Sequence, residues 1–380
     1  MSYSVISRRG YLRGSMILGS TALMAALPLR PARWLVHAQT STPPTVDRLA
    51  VRVVIDSFQD ALARSQKMGN VDVQRFGIFG AGLERQVHNE FGLSLHLESV
   101  RGGETRNILL DFGFTPAALM SNLGIFRVDP ATLDALILSH GHFDHYGGLI
   151  GLLHEGRATM RDDLPIYVGG EDVFCQRWIK GKDDQRVSAG VLDRRDLAAE
   201  KTRVVMAEQP TVIEGQAFTT GTIARNSPEK VLPNTIVEAG VSDGAGCSTE
   251  SFASHFTQAE LEGRFLFDNH FGEHATCFNV KDRGLVVITS CGHAGLINTI
   301  RQAQTVSGVE KIHAVMGGFH LSPADPQYVV QIVEVLRNEI KPDYLVPMHC
   351  SGATFTQIAA QKMPDKLIMS YTGSRYVFGT

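Results

Sequence analysis

Four side chains suited to metal binding stand within six residues, directly after an apolar segment. They are His140, His142, Asp144 and His145, and residues 135–138 precede them. Imidazole and carboxylate are ligands that zinc, manganese and non-haem iron accept in proteins. Alternate residues of an extended segment point the same way, so the first two histidines can share one position, while the other two residues come from the turn that follows. The spacing predicts a metal centre that can face two adjacent metal positions.

The same segment resembles the metal motif of the metallo-β-lactamase superfamily, and the resemblance extends over about residues 51–380. Within that superfamily, residues 91–94, 291–295 and 317–321 resemble motifs of the dihydropterin ribofuranosylaminobenzene-phosphate synthase group. The resemblance implies an α/β fold, the αββα four-layer sandwich of the metallo-β-lactamase type. In that fold two mixed sheets are flanked by helices, and the metals lie at one edge between the sheets.

The resemblance also implies roles for residues outside the central motif. Asp111 matches an aspartate that usually supports the site from behind the ligands, and His349 matches the last metal histidine. The first two motif histidines would hold one metal together with His293. Asp144 and the last motif histidine would hold a second metal together with His349, and Asp144 could also orient the nucleophile.

His293 stands where relatives often carry an aspartate that bridges two metals. A neutral imidazole nitrogen has one lone pair and cannot bind two metals at once. Either a hydroxide alone therefore bridges the two metals, or the site holds a single tightly bound metal. His270 or His274 is the competing candidate for the missing ligand. His320 follows the expected strand 312–316 and could bind substrate, donate to a developing oxyanion or ligate metal, with a substrate or supporting role favoured.

The expected cofactor is one or two divalent metal ions, with zinc first and manganese or iron as alternatives. A metal lowers the pKa of its bound water toward ~7, so a metal-bound hydroxide could attack an ester, lactone, thioester or phosphoester of a small-molecule substrate. The group name implies another reaction, in which a phosphoribosyl group is transferred to a pterin precursor. A non-catalytic protein that binds or senses metal is the third hypothesis.

Strands and helices alternate from residue 51 onward, which places the motifs at strand ends. The expected strands are 51–55, 93–97, 107–111, 135–138, 277–280, 285–289, 312–316 and 344–347. The expected helices are 115–123, 295–304, one beginning after Asp325 and one over 355–362. The more polar segment 171–265 is interpreted as an insertion over the site.

The N-terminus has the pattern of an export signal. Arg8 and Arg9 precede an apolar run over 15–29 that is shorter than the ~20 residues needed to span a bilayer. This pattern resembles a twin-arginine signal peptide over residues 1–38, followed by a linker at 39–50. We expect the export machinery as a partner, a periplasmic or exported mature protein and no stable membrane anchor after cleavage. An ordinary secretory signal is the alternative.

Composition excludes several classes of protein. The 380 residues are 43% hydrophobic and 20% charged, which suffices for a full-sized core and argues against disorder. Lys and Arg total 36 against 39 acidic residues, and five of the arginines lie in residues 1–38, which contain no acid. The remainder is acidic, so we expect no nucleic-acid partner.

The five cysteines give no disulfide framework, because their number is odd and their spacing irregular, although an isolated pair stays open. Cys350 follows a candidate ligand, and we expect it to pack away from the site because adjacent strand residues face opposite ways. Cys291 lies two residues before His293 and could face the metals, but a thiolate role is the less favoured interpretation.

Overall fold

The structure is a computed structural model that describes residues 36–37, 43–77 and 85–379, apart from 233, 243, 249, 251, 252, 254 and 255. The expected signal peptide lies outside these residues except for 36–37, and so does the start of the expected linker. Within the described part of the chain, no helix is both long and apolar enough to cross a membrane.

The longer strands are buried on one or both faces. In chain order, the strands are β1 (Val36–His37), β2 (Thr45–Val46), β3 (Arg48–Ile55), β4 (Gln66–Met68), β5 (Val71–Gln74), β6 (Ser94–Arg101), β7 (Glu104–Leu110), β8 (Ala135–Leu138), β9 (Pro165–Val168), β10 (Gln176–Lys180), β11 (Arg186–Ser188), β12 (Arg203–Met206), β13 (Val212–Ile213), β14 (Ala217–Thr219), β15 (Ile236–Glu238), β16 (Gly240–Ser242), β17 (Ala245–Cys247), β18 (Phe265–Phe267), β19 (Thr276–Val280), β20 (Gly284–Thr289), β21 (Ile312–Gly318), β22 (Tyr344–Met348) and β23 (Arg375–Phe378).

Two large mixed sheets contain most of these strands. The first has the order β1-β12-β9-β8-β7-β6-β3-β23-β5-β4, and the second has the order β13-β14-β19-β20-β21-β22 with β2 beside β19. Strands β7, β8 and β9 are parallel, as are β20, β21 and β22. Because the carboxyl ends of parallel strands meet at one edge of a sheet, the loops after these strands can build one site.

Eight α-helices lie within the described residues, and the longer ones cover the outer faces of the two sheets. They are α1 (Pro116–Phe126), α2 (Phe143–Tyr146), α3 (Leu149–Gly156), α4 (Arg194–Ala199), α5 (Gln258–Glu262), α6 (Leu296–Ser307), α7 (Pro326–Val335) and α8 (Ala353–Lys362). Thr115 caps α1 and Asp325 caps α7, and each cap is followed by proline at the first helical position.

Three apolar clusters separate the four layers. One lies between the two sheets, where Val51 and Ile137 from the first sheet meet Ile288 and Met316 from the second. A second cluster joins the first sheet to α1 and α3, and a third joins the second sheet to α6, α7 and α8. This arrangement is the expected αββα sandwich.

The segment 171–265 is only partly an insertion. Strands β10, β11 and β15 form a small sheet with β18, and two of the residues beside the cavity described below, Ile179 and Ser188, belong to it. In contrast, β12 pairs with β9 in the first sheet, and β13 and β14 lie in the second. These strands could not be predicted from the sequence because each is only two to four residues long and the segment around them is polar.

Candidate metal centre

The predicted ligands converge where the loops after β8, β20, β21 and β22 meet. Asp111 lies behind them, one residue after β7. Its carboxylate accepts hydrogen bonds from the Ser139 backbone N–H and hydroxyl, both at 2.8 Å, and from His145 Nδ1 at 2.7 Å. Asp111 therefore fixes the ring of His145 and leaves its Nε2 for a metal, as a carboxylate behind a ligating histidine does.

Removing the Asp111 carboxylate should weaken the centre without dismantling it. Asp111→Ala is expected to lower metal affinity or activity by roughly 10–100-fold, the cost typical of an outer partner. The measurement is metal retained per chain during titration with a chelator. A loss as complete as that of a direct ligand would contradict the supporting role.

The candidate first metal position contains His140, His142 and His293, whose ligand atoms lie within 4.8 Å of one another. His140 Nδ1 lies 2.9 Å from the Ser139 hydroxyl oxygen, so its Nε2 remains as the ligand atom. His142 Nε2 lies 2.9 Å from the hydroxyl oxygen of Thr235, which leaves Nδ1. The structure thus brings together the three residues predicted for this position.

Several ring nitrogens at this centre are buried without a hydrogen-bond partner. They include His140 Nε2 and both ring nitrogens of His293 and of His320. A buried polar group without a partner lowers the stability of the fold by about 1–3 kcal/mol. The convergence of these nitrogens therefore indicates that a group able to accept their lone pairs binds here. A divalent metal fits this donor set.

The electrostatics favour metal binding at the first position. Burial lowers the pKa of His140 well below its usual value, and the imidazole of His145 lowers it further. Burial also lowers the pKa of His293. Both rings are therefore neutral at pH 7, which is the form that ligates a metal.

The candidate second position brings together Asp144, His145 and His349. Asp144 Oδ2 lies 3.1 Å from His349 Nε2 and 3.6 Å from His145 Nε2. Burial would lower the pKa of His145, but the charges of Asp144 and Asp111 outweigh it and raise that pKa to about 9. A metal at this position must therefore displace a proton from His145.

Two carboxylates that the sequence analysis did not identify hold the ligand loops in place. Asp56 accepts the backbone N–H of His349 at 2.8 Å. Glu273 accepts the backbone N–H groups of His293 and Ala294 at 3.0 and 2.6 Å. Both carboxylates hold their ligand loop through backbone N–H groups, and such contacts leave no spacing pattern in the sequence.

The sequence analysis also did not identify Asp268 as a residue of the site. It lies 2.7 Å from Arg177 Nε and 3.6 Å from His142 Nε2. Burial would raise the pKa of Asp268, but Arg177 and His270 hold it well below its ordinary value. Asp268, His142 and His270 form a further group with ligand atoms within 4.8 Å. The sequence 268–274 contains a signal, since two histidines follow an aspartate.

The competing candidate His274 is held through one ring nitrogen by the backbone of Leu138. Its Nε2 lies 3.1 Å from the carbonyl oxygen of Leu138 and donates to it, whereas its Nδ1 is buried and has no hydrogen-bond partner among the described residues. The ring of His270 instead stacks on that of His293 at a centroid distance of 3.8 Å. The ring of His320 lies 4.0 Å from that of His293 and borders the cavity beside the centre.

Cys350 lies within the site, contrary to the expectation that it packs away. His349–Ser351 form a 3-10 turn after β22, and His349 has φ of 44°. Strand alternation therefore does not apply at this point, and Cys350 and Cys291 both border the cavity. Their sulfur atoms are 3.4 Å apart.

A cavity of about 640 Å³ opens beside the two metal positions. His142, Asp144, His320 and His349 line its polar side. Its other side is largely apolar and includes Phe91, Phe114, Phe143 and Ile179. This combination suits a substrate with an apolar arm and a polar reacting group.

Comparison with known proteins agrees with this fold. Residues 100–160 match the metallo-beta-lactamase superfamily. The structure is similar to that of Tm1679, a metal-dependent hydrolase of the beta-lactamase superfamily, with a TM-score of 0.61 and 20% identity over 86% of this chain and 98% of that chain. The superfamily match therefore covers the segment that contains the central metal motif, and the chain has the fold of Tm1679.

Two proteins of Methanocaldococcus jannaschii are similar in sequence. One is a 7,8-dihydropterin-6-methyl-4-(beta-D-ribofuranosyl)-aminobenzene-5'-phosphate synthase, 26% identical over 290 residues, which are 75% of this chain and 89% of that protein. The other is an uncharacterized protein, 23% identical over 252 residues, which are 65% of this chain and 80% of that protein. The resemblance to the synthase group is confirmed.

Proposed function

We propose that the protein is a metal-dependent hydrolase that acts on an ester, lactone, thioester or phosphoester. The observation that carries the proposal is the convergence of two ligand sets, one around His293 and one around Asp144, beside a cavity with an apolar side. The apolar side favours the carboxylic substrates over the phosphoesters.

The roles of the residues follow from their placement. A divalent metal, when bound, supplies a nucleophile at neutral pH and polarises the bond under attack. Asp144 borders the cavity and can accept a proton or hydrogen bond from the attacking group. His320 borders the same cavity and can donate to the oxygen that becomes negative. Phe114 and Ile179 can hold the apolar arm.

The test is a substrate panel on the matured protein with its metal content measured. It compares p-nitrophenyl esters of increasing acyl length, a lactone, a thioester, a phosphomonoester and a phosphodiester. We expect turnover of an acyl substrate, its loss after chelation and its recovery on adding zinc or manganese. The Asp144→Ala protein, purified in parallel, controls for contaminating esterases. Absence of hydrolysis across the panel with metal bound would overturn the proposal.

The transferase reaction is the second candidate, and the similarity to the synthase supports it. In this reaction a phosphoribosyl group passes from an activated ribose phosphate to a pterin precursor. It therefore predicts that pyrophosphate is released when both compounds are present. The same protein preparation can be assayed for that release, so the two candidates are compared under identical metal loading.

We also propose that the protein is exported to the periplasm. The pattern around Arg8 and Arg9 supports this proposal. A disulfide between Cys175 and Cys247 supports it as well, because disulfides persist in oxidising compartments. The disulfide joins two cysteines that are 72 positions apart, and the chain between them includes much of the segment over the site.

Replacing Arg8 and Arg9 with lysine should block export. The signal of the twin-arginine type depends on the paired guanidinium groups, and lysine keeps only their charge. We expect unprocessed precursor to accumulate in the cytoplasmic fraction, as measured by immunoblotting of cell fractions. The matched change Arg30→Lys, after the apolar run, should leave processing unchanged. Normal processing of the double variant would indicate the general secretory route.

A further inference from the structure

Cys291 occupies a central place among the candidate ligands. Its sulfur belongs to three groups whose ligand atoms lie within 4.8 Å of one another, and its partners in them are His140 with His145, His293 with His320, and His349 with Cys350. These partners include members of both metal positions described above. The Cys291 sulfur therefore lies within 4.8 Å of ligand atoms from both positions.

The chemistry of sulfur suits that location. The ring nitrogen of His293 has one lone pair and serves one metal, whereas a thiolate sulfur has more than one and can bind two metals at once. Thiolate is also a preferred ligand of zinc. Cys291 is 2% exposed and its Sγ lies 3.2 Å from Nε2 of His145, a ligand atom of the second position.

We propose that the Cys291 thiolate bridges the two metal positions. Binding of the metals releases the thiol proton to solvent, and the sulfur then shares its electron pairs between the two ions. This inference requires the metal centre but not the hydrolase reaction. It also removes the alternative in which a hydroxide alone must connect the two ions.

Cys350 positions the bridging sulfur. Its Sγ lies 3.4 Å from that of Cys291 and 3.3 Å from the backbone nitrogen of His320, which donates to it. The second thiol therefore links Cys291 to the His320 loop and limits where the first sulfur can move.

Cys277 provides a matched control. It is a free, fully buried thiol, but it lies in the apolar cluster between the second sheet and its helices. A change there tests the loss of a buried sulfur without touching the metal centre.

The experiment uses the mature protein loaded with cobalt(II), which reports thiolate ligation through a near-ultraviolet charge-transfer band. We expect the band, two metals per chain and magnetic coupling between the cobalt ions. Cys291→Ser should lose the band and the coupling, and the affinity for the second metal should fall by more than the roughly 10–100-fold caused by losing an outer partner. Cys277→Ser should keep all three properties.

Cys291→Asp guards against a variant that merely misfolds. Its carboxylate can also bind two metals, so we expect this variant to keep two coupled cobalt ions while the charge-transfer band disappears. Retention of the full band in Cys291→Ser would overturn the proposal. So would a band without magnetic coupling in the unchanged protein, or a Cys291–Cys350 disulfide detected by mass spectrometry in the metal-loaded protein.

Discussion

Asp144→Ala is expected to abolish turnover of every substrate that the unchanged protein accepts. The Asp144 carboxylate lies 3.1 Å from His349 Nε2 and also borders the cavity, so it can both ligate the second metal and orient the attacking group. Loss of both roles should exceed the roughly 10–100-fold cost of an outer partner. Turnover number and metal content per chain are the two measurements.

The fold should survive this substitution. Asp144 lies in the short helix α2 at the cavity surface, and its side chain takes no part in the apolar clusters between the layers. An unchanged circular dichroism spectrum would establish that. Asp163→Ala serves as the control, since this exposed carboxylate lies away from the centre and forms an ion pair with nearby Arg161. The assignment of the second position would be wrong if metal content and turnover both survived in Asp144→Ala.

The elements that carry the site could be predicted because local patterns determine them. Residues 135–138 are an apolar run, and the structure has β8 at Ala135–Leu138. The Asp325–Pro326 pair is a cap followed by proline, and α7 begins at Pro326. The hairpin of β19 and β20 follows from two apolar runs around a polar turn. Each of these signals lies within a few residues of the element it predicts.

The remaining parts of the site depend on contacts between distant residues. Asp56 bonds to His349 across 293 positions of the chain, and Arg177 bonds to Asp268 across 91. Cys350 faces the cavity because a 3-10 turn replaces the end of a strand, and a left-handed backbone at His349 has no strong sequence signal. Spacing within one segment cannot reveal such contacts.

His293→Ala is expected to remove the metal at the first position. Among the described residues, neither nitrogen of the His293 ring has a hydrogen-bond partner, and one nitrogen lies within 4.8 Å of the ligand atoms of His140 and His142. A zinc ion in a structural or catalytic site keeps at least three protein ligands, so loss of one leaves too few for tight binding. Metal retained after gel filtration and chelator titration measures the effect, and activity should fall with metal content.

His274→Ala is the matched comparison, because His274 is equally buried and is the competing candidate for the same ligand role. Its Nε2 donates to the Leu138 carbonyl oxygen, so this variant should lose about 1–3 kcal/mol of stability from an unpaired buried acceptor. Its metal content should stay that of the unchanged protein. The two variants therefore separate a ligand from a structural histidine through opposite readouts, since His293→Ala lowers metal retention and His274→Ala lowers the melting temperature. If the His274→Ala protein lost its metal while the His293→Ala protein kept it, His274 would be the ligand and His293 the structural histidine.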